Sequence, residues 1–269
     1  MASDEMELAG GKILASSEEG IGRVVFNQPE KRNAMSVEMW EGMVTALDRF
    51  EADAAVRVVV LSGAGDKAFV SGADISQFEK NRASADAQVE YDKITSAGRR
   101  RLAAFGKPLI AQIHGFCLGG GLGIAMNSDL RIASDDAQFG IPAARLGIAY
   151  TFDMVRQLVS LVGQAHARMV LYTGERIGAA EAERIGLVNR VVPVAGLEAE
   201  VTRLARIMAA NAPLTIRAAK LAVTAAIRDE SARDMPALDA AIAACFDSED
   251  YREGRRAFAE KRKPAFRGR

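Results

Sequence analysis

The chain has 269 residues, of which 49% are hydrophobic, and its 35 basic and 35 acidic side chains give a formal net charge of zero at neutral pH. This composition predicts a globular protein of enzyme size, and the charge balance excludes the broad basic surface typical of nucleic-acid binding. Two cysteines are too few for a disulfide framework, and no residue spacing resembles a metal site. The acidic N-terminal residues and the lack of an apolar run of membrane-spanning length favour a cytoplasmic protein that makes no membrane contact.

The first part of the chain predicts strands followed by a helix. Lys12–Ser16 and Arg23–Asn27 are short stretches with strand character on either side of a turn. Ser36 is a typical N-cap, and apolar side chains recur at helical spacing after it. Arg57–Ser62 contains a run of β-branched residues, which indicates a strand buried on both faces.

The middle of the chain alternates between helices and strands. A helix is predicted from about Ala87 to Ala104, then the strand Leu109–Ile113, then a helix that ends near Asn127. Leu130–Ala133 and Ala137–Phe139 follow as short strands. This alternation predicts an α/β protein with a mainly parallel sheet.

The pattern changes after Leu197, where helices replace strands. Two of these helices carry an apolar stripe, formed by Val201, Leu204, Ile207 and Met208 in the first and by Leu238, Ile242, Cys245 and Phe246 in the second. We therefore expect residues 1–196 to form the core with the functional site. Residues 197–269 are expected to form a helical oligomerisation region, since such a helical tail usually folds back on the core or holds subunits together.

Three consecutive glycines, Gly119–Gly121, connect an apolar strand to the start of a helix. One explanation is tight packing of the helix on the sheet. The other is that a ligand approaches the backbone, because a helix start offers unpaired N–H groups and the positive end of the helix dipole. A dinucleotide-binding loop is excluded, because Ile124 stands where the Gly-x-Gly-x-x-Gly pattern requires glycine.

The glycines belong to the second of two motifs, His114–Gly121, and the first motif is Ala68–Ile75. The pair resembles the loops of the enoyl-CoA hydratase/isomerase family, also called the crotonase superfamily. The resemblance extends through Pro29–Met35 to Phe258–Pro264, and therefore covers nearly the whole chain. It implies a crotonase-like spiral of repeated ββα units with a C-terminal helical region, assembled as a homotrimer or a dimer of trimers.

The resemblance also implies a site. The backbone N–H groups of Ala73 and Gly120 would form an oxyanion hole for the carbonyl oxygen of a coenzyme A thioester, where two fixed donors stabilise an enolate. Coenzyme A is expected as part of the substrate, with no prosthetic group and no metal. The residues expected to line its path are Lys31, Arg32, Ala34, Ser71, Ala73, Asp74, Ile75, Gly119 and Gly120. For Lys31 and Arg32, a solvated basic loop is an equally good interpretation.

Two expected acid/base groups are missing. In hydratases of this family one glutamate would stand at the position of Gly123 and another at the position of Ala143. Their absence predicts that the protein hydrates enoyl thioesters poorly. The remaining alternatives are an isomerase or another enzyme acting on a coenzyme A thioester, and a binding protein without catalytic activity.

Asp153, with Tyr150 as its hydrogen-bond partner, is the hypothetical replacement, because a partly desolvated carboxyl group would have a raised pKa. The alternative is that Asp153 caps the helix that follows. Arg145 could bind a carboxylate of the acyl group, although a surface ion pair is the favoured interpretation. His114 is expected to be a hydrogen-bonded structural residue at a strand end.

Overall fold

Two β-sheets and the helices between them form the body of the protein. The computed structural model describes residues 5–74 and 85–269. Within these ranges the strands are β1 (Met6–Leu8), β2 (Ile13–Glu18), β3 (Ile21–Phe26), β4 (Val58–Gly63), β5 (Ala68–Val70), β6 (Leu109–Ile113), β7 (Phe116–Leu118), β8 (Leu130–Ser134), β9 (Gln138–Gly140), β10 (Ile177–Gly178) and β11 (Arg190–Val192).

The α-helices are interspersed with the strands up to β11, and the C-terminal region after it is helical. They are α1 (Val37–Ala52), α2 (Ala85–Ala103), α3 (Gly120–Met126), α4 (Ala143–Leu146), α5 (Phe152–Thr173), α6 (Ala179–Arg184), α7 (Leu197–Ala210), α8 (Pro213–Ala226), α9 (Met235–Asp247) and α10 (Glu249–Ala259).

The large sheet has the strand order β1-β2-β3-β4-β6-β8-β11, and it is parallel from β3 onward. The small sheet has the order β10-β9-β7-β5. Three times in succession the chain passes from a strand of the large sheet to a strand of the small sheet and then to a helix, as β4-β5-α2, β6-β7-α3 and β8-β9-α4. This arrangement confirms the predicted spiral of ββα units.

The main core includes residues of α1, the facing side of the large sheet and the small sheet; its fully buried side chains include Phe26, Phe69 and Phe139. A second cluster lies on the other face of the large sheet, where Leu197, Val201 and Ala205 of α7 pack on the strands. The helical region that begins at Leu197 is therefore packed against the core from its first helix.

The strands and helices predicted from periodicity are present, with ends that differ by a few residues. The predicted helix at Ala87 begins at Ala85, and the buried run after Arg57 forms β4. Strand β5 has no counterpart in the sequence prediction, and the apolar stretch that precedes Gly119 divides into two strands, β6 and β7. The short strands β5 and β7 matter because they carry the two motif loops.

Candidate active site

The two motif loops lie next to each other because β5 and β7 are parallel neighbours. Val70 pairs with Cys117, so both chains leave the small sheet at the same edge. A Cβ atom built on Gly120 would lie 3.9 Å from the backbone nitrogen of Ala73. The structure thus brings together the two residues whose N–H groups the family resemblance assigns to an oxyanion hole.

Backbone hydrogen bonds fix the orientation of Ala73. Met35 donates its N–H to the carbonyl of Gly72 at 2.8 Å, and Asp74 donates its N–H to the carbonyl of Met35 at 3.0 Å. Successive residues of an extended segment direct their backbone groups to opposite sides, so the N–H of Ala73 points away from Met35. Among the described residues it has no backbone acceptor.

The start of α3 leaves further donors unpaired. Gly119, with φ of 52°, forms the sharp turn between β7 and α3, and it donates its N–H to the carbonyl of Gly140 at 2.9 Å. The first hydrogen bond of α3 runs from the N–H of Gly123 to the carbonyl of Gly119 at 3.1 Å. The N–H of Gly120 precedes this bond, and within the helix it has no acceptor.

The neighbouring glycine has a different task. A Cβ atom on Gly121 would lie 2.0 Å from the carbonyl oxygen of Val70, which no side chain could tolerate without displacement of β5. The two explanations of the glycine run therefore apply to different residues. Gly121 allows close packing of the helix on the sheet, and Gly120 lies beside Ala73, where a ligand could approach the backbone.

The two positions without glutamate are filled differently. A Cβ atom on Gly123 would lie 2.6 Å from Cε of Met154, whose side chain projects from α5. Ala143, at the start of α4, is buried, and its carbonyl accepts the N–H of Ile148 at 3.1 Å. At the first position an apolar side chain therefore occupies the space beside the backbone.

Tyr150 brings a hydroxyl group to the oxyanion loop. A Cβ atom on Gly119 would lie 3.4 Å from its Oη. Burial raises the pKa of Tyr150 to about 12, against the opposing effect of the nearby Arg99 cation. The phenol is therefore protonated at neutral pH and is available as a hydrogen-bond or proton donor.

The expectation for Asp153 is wrong in its physical premise. Its side chain is 84% exposed and lies 4.0 Å from Arg156 on the same helix, so it is not desolvated. The alternative was also wrong in detail, because the N-cap of α5 is Thr151. Asp153 lies in the first turn, and no hydrogen bond joins it to Tyr150 in the described structure.

Of the residues expected along coenzyme A, Lys31 and Asp74 form an ion pair of 2.8 Å in which the Asp74 side chain is nearly buried. Ala34 is buried, and the Ser71 N–H donates to the carbonyl of Arg32 at 3.1 Å. Ile75 lies outside the described residues. The pairing of Lys31 shows that its charge is partly neutralised before any phosphate binds.

Arg32 has a different environment. Its guanidinium carbon lies 5.2 Å from the ring centroid of Phe116, and that of Arg176 lies 4.9 Å from the same centroid. Cation–π contacts of this kind hold a guanidinium in place and leave its N–H groups available. No pattern in the sequence indicates Arg176, since it approaches the motif from the residue before β10.

Arg145 and His114 lie away from the contact between the loops. The Arg145 side chain is exposed and packs over Gly174; within the described ranges no carboxylate lies within 4.0 Å of it, so the expected surface ion pair is not formed. Burial lowers the pKa of His114, against smaller opposing effects that include the carboxylate of Asp136. Nε2 of His114 has no hydrogen-bond partner among the described residues.

Sequence reasoning did not identify two groups near Tyr150. Tyr91 and Arg99 of α2 both interact electrostatically with it, and we call these three residues the Tyr–Arg cluster. Nothing in the local sequence marks Arg99, because its relation to Tyr150 depends on how α2 packs.

In the described part of the chain, no group of three or more His, Cys, Asp or Glu side chains is arranged to hold a metal. None of the described helices is long and apolar enough to cross a membrane.

Comparison with known proteins agrees with the fold and the family resemblance. The sequence model of the family described as enoyl-CoA hydratase/isomerase matches residues 16–269. The short-chain-enoyl-CoA hydratase of Clostridium acetobutylicum is 36% identical over 261 residues, which cover 96% of this chain and 97% of that protein. The crotonyl-CoA hydratase of Syntrophomonas wolfei is 37% identical over 259 residues, covering 96% and 99%.

A crystal structure described as an enoyl-CoA hydratase/carnithine racemase from Magnetospirillum magneticum has a TM-score of 0.89 and 36% sequence identity, and the match covers 96% of each chain. The agreement in sequence and in fold extends over nearly the whole length of the protein. The chain therefore belongs to the enoyl-CoA hydratase/isomerase family of enzymes.

Proposed function

We propose that the protein binds a coenzyme A thioester and stabilises the enolate of its acyl group with the backbone N–H groups of Ala73 and Gly120. The observation that supports the proposal is the proximity of the two loops: a Cβ atom built on Gly120 would lie 3.9 Å from the nitrogen of Ala73, and neither residue donates its N–H to a backbone acceptor among the described residues. Negative charge collects on the thioester oxygen when the enolate forms. Two fixed donors in a site of low polarity stabilise that charge strongly.

The reaction is one that does not need the two family glutamates. Gly123 and Ala143 supply no carboxylate, and Met154 fills the space beside Gly123, so we expect slow hydration of enoyl thioesters. Tyr150 is the titratable side chain that supports a proton transfer, because its hydroxyl lies beside Gly119 and stays protonated. Isomerisation or another reaction through an enolate fits this donor. The exposure of Asp153 removes the physical argument for a role in the same step.

Coenzyme A would lie along the loops of Arg32 and Ser71, as the resemblance implies. Arg32 is the better-supported phosphate contact, because its guanidinium is exposed on the ring of Phe116 while Lys31 is paired with Asp74. The coenzyme is part of the substrate in this proposal, and no prosthetic group takes part.

A second candidate function is binding of acyl-CoA without turnover. The observation that favours it is the lack of a carboxylate at both family positions. The two functions share the oxyanion hole and differ in whether a bound thioester reacts, so the test must measure binding and reaction separately.

Gly120→Pro is a suitable variant, because it removes one N–H at the first position of α3, where proline is tolerated in helices. Gly120→Ala is the matched control, since it keeps the N–H and its Cβ has ordinary clearance from Ala73. The probe is 4-dimethylaminocinnamoyl-CoA, a chromophore whose absorption moves to longer wavelength when its carbonyl is polarised.

The proposal predicts a red shift with the wild type and with Gly120→Ala, and its loss with Gly120→Pro. Turnover of crotonyl, 3-enoyl and dienoyl thioesters is then followed in the same variants. An active wild type should lose about 10²–10³-fold in rate with Gly120→Pro. A red shift without any turnover would select the binding function, and no shift in the wild type would overturn both functions.

The homotrimer or dimer of trimers, and the cytoplasmic location, remain predictions from the resemblance and the sequence. Exposed aromatic side chains support self-association: Phe152 is 77% and Phe258 is 87% exposed. Light scattering coupled to size-exclusion chromatography would measure the mass directly. A monomer at micromolar concentration would contradict the assembly.

A further inference from the structure

Two arginines share one aromatic ring at the surface of the small sheet. The guanidinium carbons of Arg32 and Arg176 lie 5.2 and 4.9 Å from the ring centroid of Phe116. Both arginines are exposed, and Phe116 is half-buried. Among the described residues, no carboxylate lies within 4.0 Å of either guanidinium, and neither donates a side-chain hydrogen bond. Other exposed arginines of the chain, such as Arg184 and Arg262, pair with carboxylates.

The shared ring holds two like charges close together. The electrons of the ring face attract each guanidinium and keep its side chain in place, whereas the two cations repel each other. The planar N–H groups of both arginines remain available for acceptors. An anion with several oxygens would offset the repulsion and accept hydrogen bonds from both, and a phosphate group has this charge and geometry.

The backbones of both arginines are tied to the two motif loops. The carbonyl of Arg32 accepts the N–H of Ser71, in the first motif, at 3.1 Å. The Cα atom of Arg176 lies 3.5 Å from a Cβ atom built on Gly140, and the carbonyl of Gly140 accepts the N–H of Gly119, in the second motif, at 2.9 Å. The two guanidinium groups therefore meet beside the loops that form the proposed site, although they come from distant parts of the sequence.

The position of the ring along β7 suits a ligand that also reaches the oxyanion hole. Phe116 precedes Gly120 by four residues, so even a fully extended chain separates them by at most about 14 Å. In coenzyme A the long pantetheine arm separates the thioester from the phosphates. A ligand with its carbonyl at Gly120 must therefore place its phosphates at some distance along the loops.

We propose that Arg176 joins Arg32 on the ring of Phe116 to bind a phosphate group of coenzyme A. The inference rests on the proposed function, because it assumes that coenzyme A lies along the motif loops. Arg176 is the new element, since the residues that the family resemblance implies along the coenzyme do not include it. Phe116 acts as a positioning residue, which holds both guanidinium groups at one place.

Isothermal titration calorimetry tests the inference with free coenzyme A, 3′-dephospho-coenzyme A and butyryl-CoA. Arg176→Met and Arg32→Met each remove one charge and keep an apolar stem on the ring. Arg176→Lys keeps the charge without the planar donor group. Arg168→Met is the matched control, because Arg168 is also exposed, and on α5 it donates to Oε1 of Gln164 at 3.4 Å. Circular dichroism melting confirms that each variant is folded.

We expect Arg176→Met and Arg32→Met each to weaken the binding of coenzyme A and butyryl-CoA about tenfold, the lower end for a hydrogen bond to a charged group. Arg176→Lys should lose less, and Arg168→Met should stay within about twofold of the wild type. The dephosphorylated coenzyme identifies the phosphate. A loss that persists with it assigns the arginines to the diphosphate, and a loss that disappears assigns them to the 3′-phosphate; either result supports the inference.

Free coenzyme A has no thioester carbonyl, so its affinity does not depend on the oxyanion hole. An unchanged affinity for it in Arg176→Met, or an equal loss in Arg168→Met, would overturn the inference. The red shift of the chromophoric thioester would in that case still support the proposed function. A wild type that binds neither coenzyme A nor butyryl-CoA would overturn both.

Discussion

The terminal methyl group of Met154 occupies the space in front of Gly123. A Cβ atom built on Gly123 would lie 2.6 Å from Cε of Met154, too close for two non-bonded carbon atoms, so the flexible end of Met154 would have to move. Gly123 is in α3 and Met154 is in the first turns of α5. At the position where the family resemblance implies a glutamate, the flexible end of an apolar side chain therefore lies against the backbone, and any side chain at position 123 must contend with Met154.

The contact between Gly123 and Met154 predicts that introducing glutamates at positions 123 and 143 is not enough to create a hydratase. In Gly123→Glu/Ala143→Glu the new side chain at position 123 must displace Met154, and we expect little hydration of crotonyl-CoA. Adding Met154→Ala opens the space, and we expect the rate to rise by about 10²-fold or more, the lower end of general acid–base contributions. The rate is followed by the loss of enoyl absorbance.

Met154→Ala alone is the control, and it should gain no hydration because it supplies no carboxylate. A double variant already as active as the triple variant would show that Met154 does not obstruct the glutamate.

Gly121→Ala tests the packing between α3 and β5. Its methyl group would lie 2.0 Å from the carbonyl oxygen of Val70, and backbone cannot move aside as a flexible side chain can. We expect the free energy of unfolding to fall by about 3 kcal/mol, the upper part of the range for overpacking. Gly120→Ala, whose Cβ has ordinary clearance, should change it by less than about 1 kcal/mol. Urea denaturation measures both, and similar values for the two variants would contradict the packing role.

The contrast between these neighbouring glycines shows what sequence could predict. The run Gly119–Gly121 indicates a helix start that something approaches, and the family motifs identify Ala73 as its partner. Assigning packing to Gly121 requires the position of Val70, which follows from the parallel pairing of β5 with β7. The motif is visible in the local sequence, whereas the tertiary structure determines which glycine packs against Val70 and which lies beside Ala73.

The expectation for Asp153 fails for the same reason. Apolar residues surround Asp153 in the sequence and suggest a desolvated carboxyl group, but a residue in the first turn of a helix can point to solvent, and Asp153 does. Arg99 and Met154 approach Tyr150 and Gly123 from other helices, α2 and α5. The residues adjacent in sequence do not indicate either of these relationships, so periodicity and spacing could not predict them.

Asp153→Ala should leave turnover of the best thioester unchanged within about twofold, because an exposed carboxylate keeps its hydration and has no route to the oxyanion loop. The same change removes a negative charge from the first turn of α5. We expect it to lower the free energy of unfolding by about 0.3–1 kcal/mol through the helix dipole. Asp153→Asn should behave alike. A tenfold loss of rate in both variants would restore Asp153 as a catalytic candidate.

Tyr150→Phe tests the proposed proton donor. It removes only the hydroxyl beside Gly119, and we expect the rate to fall by about 10²–10⁴-fold, the usual contribution of a general acid. Affinity for the unreactive butyryl-CoA should change by less than about twofold, because the ring remains. Tyr172→Phe is the matched control, since Tyr172 is 72% exposed at the other end of α5. An unchanged rate in Tyr150→Phe would contradict the assignment.

The raised pKa of Tyr150 also predicts how stability depends on pH. The folded state holds the phenol proton until a pH of about 12, whereas an unfolded tyrosine releases it near a pH of about 10. Between these values the folded state binds more protons, so the free energy of unfolding falls as pH rises. Tyr150 therefore contributes fully below its unfolded pKa, and this contribution is lost as pH approaches its folded pKa.

Comparison with Tyr150→Phe isolates this effect from other groups that titrate in the same range. From about pH 8 to about pH 11, the wild type should lose about 1.4 kcal/mol more unfolding free energy than the variant, as a tenfold change in the proton-binding ratio requires. Urea denaturation at each pH gives the difference. The chain has four tyrosines, and ultraviolet titration of the wild type should show a late tyrosinate that is missing in Tyr150→Phe. Parallel pH curves for the two proteins would mean that Tyr150 is not held as a buried phenol, and the proposed proton donor would lose its physical basis.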